Sequence, residues 1–189
     1  MSKLCAFKFA KSINPALWDE IIASSFSVDC STQWSMPDRC CLQSEVYLSY
    51  QLSSLLPLWE NDLNTQMVAL VTHRYDALSA LALDLAFNYQ SGEVLNLFDV
   101  GLLALANNER GFLKDLKAYF DGITEELLYT ALSFLRHNGS GTKTAAALYI
   151  HRNTLSYRLN KFQQATKLDL RDSDDAAFLR LYGSVCYFH

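Results

Sequence analysis

Residues 142–162, TKTAAALYIHRNTLSYRLNKF, have the pattern of two short helices joined by a tight turn. Ala145 is a small residue at the position where two closely crossing helices would touch. In the second helix, Leu159 and Phe162 follow Leu155 at spacings of four and seven, which places the three on one apolar stripe. The segment therefore predicts a helix pair whose second member is buried along one side and exposed along the other.

The same stretch is strongly basic within an acidic chain. From Lys143 to Lys167 there are five Lys and Arg residues and no Asp or Glu, whereas the chain as a whole carries a net charge of −4. Such a segment suits DNA, because each phosphate contact releases condensed counterions. The helix pair and its charge together predict a helix-turn-helix whose second helix enters the major groove of double-stranded DNA.

The predicted outer face of the second helix holds most of the candidate DNA-binding residues. Arg152 and Asn153, at its start, are expected to meet base edges, with a solvated basic face as the alternative. His151 could contact DNA or cap the helix, and both alternatives stay open. Thr142 is predicted to cap the first helix. The full candidate set is Thr142, Lys143, Thr144, His151, Arg152, Asn153, Thr154, Ser156, Tyr157, Arg158 and Lys161.

Several of these residues have a competing structural role. Tyr157 could bind a phosphate or pack as an ordinary aromatic residue, and Thr154 could brace the helix start. Arg158 lies beside the apolar stripe, so a salt bridge to Asp169 or Asp172 competes with DNA contact. The residues expected to hold the DNA backbone, which positions a protein without reading sequence, are Thr142, Lys143, Thr144, Tyr157 and Lys161.

The first hundred residues alternate between strand-like and helix-like periodicity. Pro57 should kink or end the helix in which it lies, because it has no N–H to donate. The predicted strands are 4–9, 28–34, 40–44, 67–71 and 94–98, and the predicted helices begin at Asn14-Pro15, Tyr47 and about Leu78. The order β-α-β-β-α-β, followed by α-β, is a ferredoxin-like plan with an appended unit.

Glycines and polar loops divide the rest of the chain. Residues 1–105 are predicted to form an α/β domain, 106–122 a helical linker, and 123–189 an all-helical domain. Thr124 is expected to start a helix that ends in the loop at 137–141. The fold class predicted for the whole chain is α+β.

Composition limits the other classes of function. No apolar run is long enough for a membrane-spanning helix, and the N-terminus lacks a signal peptide pattern. Five cysteines without a CxxC pair favour free thiols in the cytoplasm, with zinc binding by Cys30, Cys40 and Cys41 as the alternative. Neither a catalytic constellation nor a glycine-rich phosphate loop is present. We therefore predict no enzyme activity, no cofactor, no metal and no membrane partner.

The helix-turn-helix stretch resembles the C-terminal DNA-binding domain of PucR/CdaR transcriptional regulators. The residues that carry the resemblance are Thr144-Ala145, Leu148, Ile150–Leu155, Tyr157–Leu159 and Leu168–Leu170. The resemblance covers roughly residues 120–185, and the string HRNTL-x-YRL is specific to that family. Two positions depart from it: Ser156 stands where the family often has Arg, and Lys167 where it usually has Gly.

Residues 1–105 more weakly resemble the degenerate GGDEF-like domain that often precedes this helix-turn-helix. The matching hairpin reads TQWSMPDRC, with no Gly-Gly pair and with Asp38 as its single carboxylate. Diguanylate cyclisation needs metal-holding carboxylates and a close backbone approach to phosphate. The resemblance therefore implies a domain without cyclase activity.

The sequence thus predicts a cytoplasmic transcriptional regulator that binds DNA. One small helix-turn-helix buries limited area, so we expect a homodimer whose contacts come mainly from the N-terminal domain. Two other classes stay open. One is an interaction module that no longer binds DNA, and the other is a sensor whose N-terminal domain binds a small metabolite effector.

Overall fold

A computed structural model describes residues 3–44 and 49–187. The chain divides into two compact units, residues 2–112 and 113–189, and each is described by itself. The elements of the first unit are β1 (Leu4–Phe9), α1 (Pro15–Ser25), β2 (Cys30–Met36), β3 (Arg39–Ser44), α2 (Ser49–Leu63), β4 (Met67–Thr72), α3 (Ala77–Gln90), β5 (Val94–Asn96) and α4 (Leu97–Ala106). Next comes α5 (Arg110–Tyr119), which spans the division. The second unit continues with α6 (Glu125–Arg136), α7 (Gly141–Ala147), α8 (Arg152–Thr166), α9 (Ser173–Tyr182) and a π-helical turn (Gly183–Tyr187).

The strands form one mixed sheet in the order β2-β3-β1-β4-β5. The first four strands pair antiparallel, and β5 is added parallel to β4. This is the predicted ferredoxin-like order with β5 as an appended strand. Strand β5 lies parallel to β4 because the helix α3 carries the chain from the end of β4 back to the end of the sheet at which β4 begins. The architecture is α+β, as predicted.

Two helices cover one face of this sheet with a dense aromatic core. Trp18 of α1 and Trp59 of α2 have ring centres 5.3 Å apart, and Phe7 and Phe9 of β1 each lie 5.1 Å from Trp18. These four side chains are at most 2% exposed. Their edge-to-face packing combines hydrophobic burial with favourable ring geometry.

The opposite face carries a charged cluster under α3. Asp84 of α3 accepts hydrogen bonds from Lys8 of β1 and Arg39 of β3, with Arg39 Nη2 at 2.7 Å from Asp84 Oδ1. Partial burial opposes ionisation of Asp84, but these two cations hold the pKa of its carboxyl below the ordinary value. The cluster therefore ties α3 to two strands.

Two local predictions in this unit are corrected: the helix does not end at Pro57, and the last strand is shorter than expected. The helix at 49–63 continues through Pro57, because Leu52, Leu56 and Trp59 are buried on its core face; positions 47 and 48 of the prediction lie outside the described residues. The last strand ends at Asn96 rather than Phe98. Asn96 caps α4 by accepting hydrogen bonds from the N–H groups of Phe98 and Asp99.

The second unit is helical and surrounds an aromatic and leucine-rich core. Phe120, Phe162 and Phe178 are buried in it, and the Tyr119 hydroxyl donates to the Thr166 carbonyl at 3.1 Å. Thr124 caps α6 as predicted. Helices α6 and α7 both pack against α8 and so hold it in place. In the part of the chain that the structure describes, every helix is too short or too polar to cross a bilayer.

Candidate nucleic-acid interface

Helix α7 begins two positions earlier than the predicted cap implies. Ser140 is its N-cap, with Oγ 3.4 Å from the Lys143 N–H, and Thr142 lies in the first turn. The prediction that Thr142 caps this helix was therefore wrong. Ser140 has the extended backbone that a cap requires. Thr142 and Lys143 are both exposed.

Thr144 does not belong to the exposed surface. It is completely buried, and its hydroxyl donates to the Ser140 carbonyl at 2.7 Å. The expectation that Thr144 holds the DNA backbone is thus contradicted. A threonine one turn into a helix readily satisfies its hydroxyl on the carbonyl four residues back, so here it braces α7 from within.

The turn between α7 and α8 is a Schellman motif. The N–H of Ile150 bonds to the Ala145 carbonyl at 3.0 Å, and the N–H of Tyr149 bonds to the Ala146 carbonyl at 3.2 Å. Tyr149 takes the left-handed conformation that this motif requires, with φ of 54°. The two bonds close α7 and fix the direction in which the chain enters α8.

His151 is the N-cap of α8. Its Nδ1 accepts the N–H of Asn153 at 3.2 Å, so capping, one of the two roles predicted for His151, is present. The imidazole stays exposed, as do Arg152, Asn153 and Thr154 in the first turn. The start of α8 therefore presents four consecutive polar side chains to solvent.

Helix α8 has the two-sided character that its sequence predicts. Leu155 and Phe162 are buried and Leu159 is half-buried. The exposed side chains on the rest of the helix are Ser156, Tyr157, Asn160, Lys161, Gln164 and Ala165. A rigid helix thus carries its polar and basic residues on one open side.

Arg158 is a second candidate residue, after Thr144, for which the structure shows a different role. Its guanidinium forms an ion pair with Glu126 of α6, and its side chain is 21% exposed. The predicted alternatives, Asp169 and Asp172, were wrong as partners. Asp172 caps α9, and Asp169 accepts the Arg171 N–H at 3.0 Å within its own loop.

Lys161 and Tyr157 form a pair on the exposed side of α8. The Lys161 Nζ lies 5.0 Å from the centre of the Tyr157 ring, which lies one turn earlier. Hydrogen bonding to Tyr157 raises the pKa of Lys161 above its ordinary value. The tyrosine ring and the lysine cation therefore lie side by side on the open side of α8.

Helix α8 ends just before Lys167, the position where the related family usually has Gly. Lys167 is the C-cap in the left-handed conformation, with φ of 66°, and its N–H bonds to the Gln163 carbonyl at 2.8 Å. Glycine is the residue that accepts this geometry without strain. The chain keeps the backbone turn expected of a glycine while placing a cation at the negative end of the helix.

The sequence did not predict the cavity beside α8. It has a volume of about 340 Å³, and its lining includes Ser156, Asn160, Asp169 and Arg171. The one feature of the sequence that could have indicated this cavity is Ser156, a short residue at a position where the related family often has Arg. A short side chain at this position leaves space that a longer one would reach into.

The cysteines do not assemble a metal centre. All five are free thiols. Burial raises the pKa of Cys5 to about 12 and that of Cys41 to about 11, which disfavours the thiolate that metals bind. Within residues 3–44 and 49–187, no three His, Cys, Asp or Glu side chains are grouped so as to hold a metal ion. The zinc alternative at Cys30, Cys40 and Cys41 thus has no site there.

Comparison with known proteins finds matches to parts of this chain. The model of the PucR C-terminal helix-turn-helix domain matches residues 127–182. A carbohydrate diacid regulator of Escherichia coli (strain K12) is 48% identical over 50 residues, which are 26% of this chain and 13% of that protein. A leucine-rich protein of Streptococcus dysgalactiae subsp. equisimilis is 26% identical over 161 residues, covering 76% of this chain and 55% of that protein. The chain thus spans less than two thirds of either relative.

Among solved structures, a regulator of polyketide synthase expression from Bifidobacterium adolescentis is similar, with a TM-score of 0.47 and 16% identity. The alignment covers 97% of this chain and 80% of that one.

The geometry of α7, its turn and α8 defines a helix-turn-helix domain. Residues 127–182 belong to the PucR type of that domain. The resemblance predicted from HRNTL-x-YRL is therefore confirmed for this part of the chain.

Proposed function

We propose that this chain is a DNA-binding transcriptional regulator in which α8 lies in the major groove. The observation that carries the proposal is the open side of α8, where Arg152, Asn153 and Lys161 are exposed in a segment without acids. This helix lies within a PucR-type helix-turn-helix domain. The proposal assigns the chain no catalytic role, and it places the protein in the cytoplasm with the DNA.

The first turn of α8 is the proposed base-reading part. Arg152 can donate two hydrogen bonds to guanine, and Asn153 can pair with adenine in the major groove. Both extend from a helix start that His151 already caps, so no ordering of the backbone is needed on binding. His151 and Thr154 flank them and contact the groove or its edge.

The remaining exposed residues are proposed to hold the DNA backbone. Lys143 and Thr142 lie in the first turn of α7, and Tyr157 and Lys161 lie further along α8. Such contacts fix register without reading sequence. Arg158 contributes less than a free cation would, because Glu126 neutralises it.

A homodimer completes the proposed function. One helix-turn-helix contacts a short half-site, and two copies on a repeated or palindromic site give useful affinity. The N-terminal unit is the proposed source of dimer contacts, and it is the proposed site of any small-metabolite effector. Its ferredoxin-like strand order fits the degenerate GGDEF-like domain that the sequence suggests, and Asp38 remains the one carboxylate of the β2–β3 turn.

DNA binding by the full chain tests the proposal. Fluorescence anisotropy would be measured on duplexes selected by the protein from a random pool, at several salt concentrations. We expect Arg152→Ala to weaken the preference for selected over random duplex by about 1–3 kcal/mol, and Lys161→Ala to reduce the salt slope by about one unit without changing the preference. Lys114→Ala, an exposed lysine of α5, is the matched control.

Two results would count against the proposal. The absence of any enriched duplex would reject DNA binding and favour the alternative of an interaction module that assembles without DNA. Binding that does not change with salt would reject the proposed contacts between the basic side of α8 and the phosphates.

A further inference from the structure

The most exposed of the large apolar and aromatic side chains in the described chain belongs to Tyr149. It is 96% exposed and lies in the turn between α7 and α8, two residues before the cap of the proposed recognition helix. Its backbone is left-handed, with φ of 54°. Exposure and backbone geometry together make this an unusual place for a tyrosine.

Tyrosine is a poor choice for this conformation. In the left-handed region the Cβ atom approaches the following carbonyl oxygen, so glycine, and to a lesser degree asparagine, is preferred. The other non-glycine residues with positive φ in the described chain are Asn64, Asn108, Asn138 and Lys167. Tyr149 is the one aromatic residue among those described. Its backbone strain is offset by the two Schellman hydrogen bonds, which a glycine would make equally well.

Nothing inside the described part of the molecule accounts for the aromatic side chain. Within residues 3–44 and 49–187, the Tyr149 phenol makes no hydrogen bond and its ring makes no contact with another ring. Its side chain therefore adds no packing energy to the fold, while its Cβ adds strain. A residue of this kind is understood best through something outside the chain.

The surroundings of Tyr149 identify the chemistry of that contact. It lies inside the segment from Lys143 to Lys167 that holds five cations and no acid, between Lys143 and Arg152. The neighbouring side chains Ala147, His151 and Arg152 are exposed as well. A partner at this place must accept hydrogen bonds, carry negative charge and offer a flat, partly apolar surface. The sugar-phosphate backbone of DNA meets all three requirements.

We propose that Tyr149 is a DNA-backbone contact at the edge of the groove that α8 enters. Its hydroxyl donates to a phosphate oxygen and its ring lies against the adjoining deoxyribose. The closed turn holds the Tyr149 backbone in a single conformation, so little backbone freedom is lost when DNA binds. This inference rests on the proposed function and adds to it a contact residue that lies outside α8.

The substitution Tyr149→Gly tests this contact, because it should change stability and DNA binding in opposite directions. Tyr149→Gly relieves the left-handed strain and removes the contact. We expect it to raise the midpoint of thermal unfolding of the full chain and, on the selected duplex, to weaken binding about three- to tenfold. Tyr149→Phe keeps the ring and loses only the hydroxyl, so its loss should be smaller. Tyr50→Phe, which alters another highly exposed tyrosine, is the control and should bind like the wild type.

The outcomes are distinguishable. If the wild type binds DNA and Tyr149→Gly binds equally well, the Tyr149 contact is rejected and the proposed function stands. If Tyr149→Gly lowers the unfolding midpoint, the tyrosine stabilises the fold and the argument from strain is overturned. If the wild type itself does not bind any duplex, the proposed function fails and this contact fails with it.

Discussion

Arg158 of α8 and Glu126 of α6 form an ion pair that joins the proposed recognition helix to a helix packed against it. The pair removes one positive charge from the stretch that would face DNA. It also links α8 to α6 through side chains that are 21% exposed at Arg158 and 60% exposed at Glu126. Arg158 therefore stabilises the packing of α8 against α6, and its ion pair weakens the electrostatic attraction of α8 for phosphate.

Substitution of Glu126 tests that division of roles. Glu126→Gln should lower the free energy of unfolding by less than about 1 kcal/mol, because the carboxylate side chain is 60% exposed. It should also strengthen DNA binding and steepen its salt dependence, because Arg158 is freed for a phosphate. Glu125→Gln, in the same turn of α6, removes an equal charge and is the control. Equal effects of the two variants on the salt slope would show that only net charge matters.

A second prediction adds a positive charge to α8 at position 156. Ser156→Arg places a cation on the exposed side of α8, beside the cavity lined by Asn160 and Asp169. We expect a salt slope steeper by about one unit, with tighter binding to random and selected duplex alike. Ser54→Arg, on an exposed position of α2, adds the same charge outside the proposed interface. An unchanged slope for Ser156→Arg would mean that this side of α8 does not approach phosphate.

Lys167 tests the geometry at the other end of α8. Lys167→Gly and Lys167→Ala remove the same charge from the helix terminus, but only glycine accepts a φ of 66° without strain. Urea unfolding should therefore find the glycine variant more stable than the alanine variant by about 1 kcal/mol. A difference near zero would indicate that the turn relaxes out of the left-handed region.

The lowered pKa of Asp84 predicts that the N-terminal unit loses stability in acid. The folded-state pKa of this carboxyl is lowered, so its contribution to stability is complete above the unfolded-state value of about 4 and is lost as the pH falls through the folded value. Asp84→Asn removes the carboxylate that Lys8 and Arg39 share and leaves Arg39 with the more distant Asp38, at 3.9 Å. It should lower the free energy of unfolding by about 1–2 kcal/mol at pH 7, a range that allows for the one-third exposure of the side chain. Urea unfolding at pH 7 and pH 3 should find a smaller difference from the wild type at the lower pH. A constant difference would contradict the ionic explanation.

Local sequence determined much of this protein. The spacing of Leu155, Leu159 and Phe162 predicted the buried side of α8, because helical periodicity depends only on neighbouring residues. Thr124 as a helix cap and the strand order of the ferredoxin-like plan also followed from short-range patterns. The charge of the segment from Lys143 to Lys167 is a property of composition and needed no structure.

Tertiary structure decided the features that depend on distant residues. Pro57 stays inside a helix because core packing of Leu52 and Leu56 outweighs the missing hydrogen bond. Arg158 pairs with Glu126, 32 positions earlier, because the packing of α6 against α8 selects the nearest carboxylate in space rather than along the chain. Thr144 is buried and Tyr149 is exposed because of the way the neighbouring helices cover these two positions, and no local sequence pattern indicated either outcome.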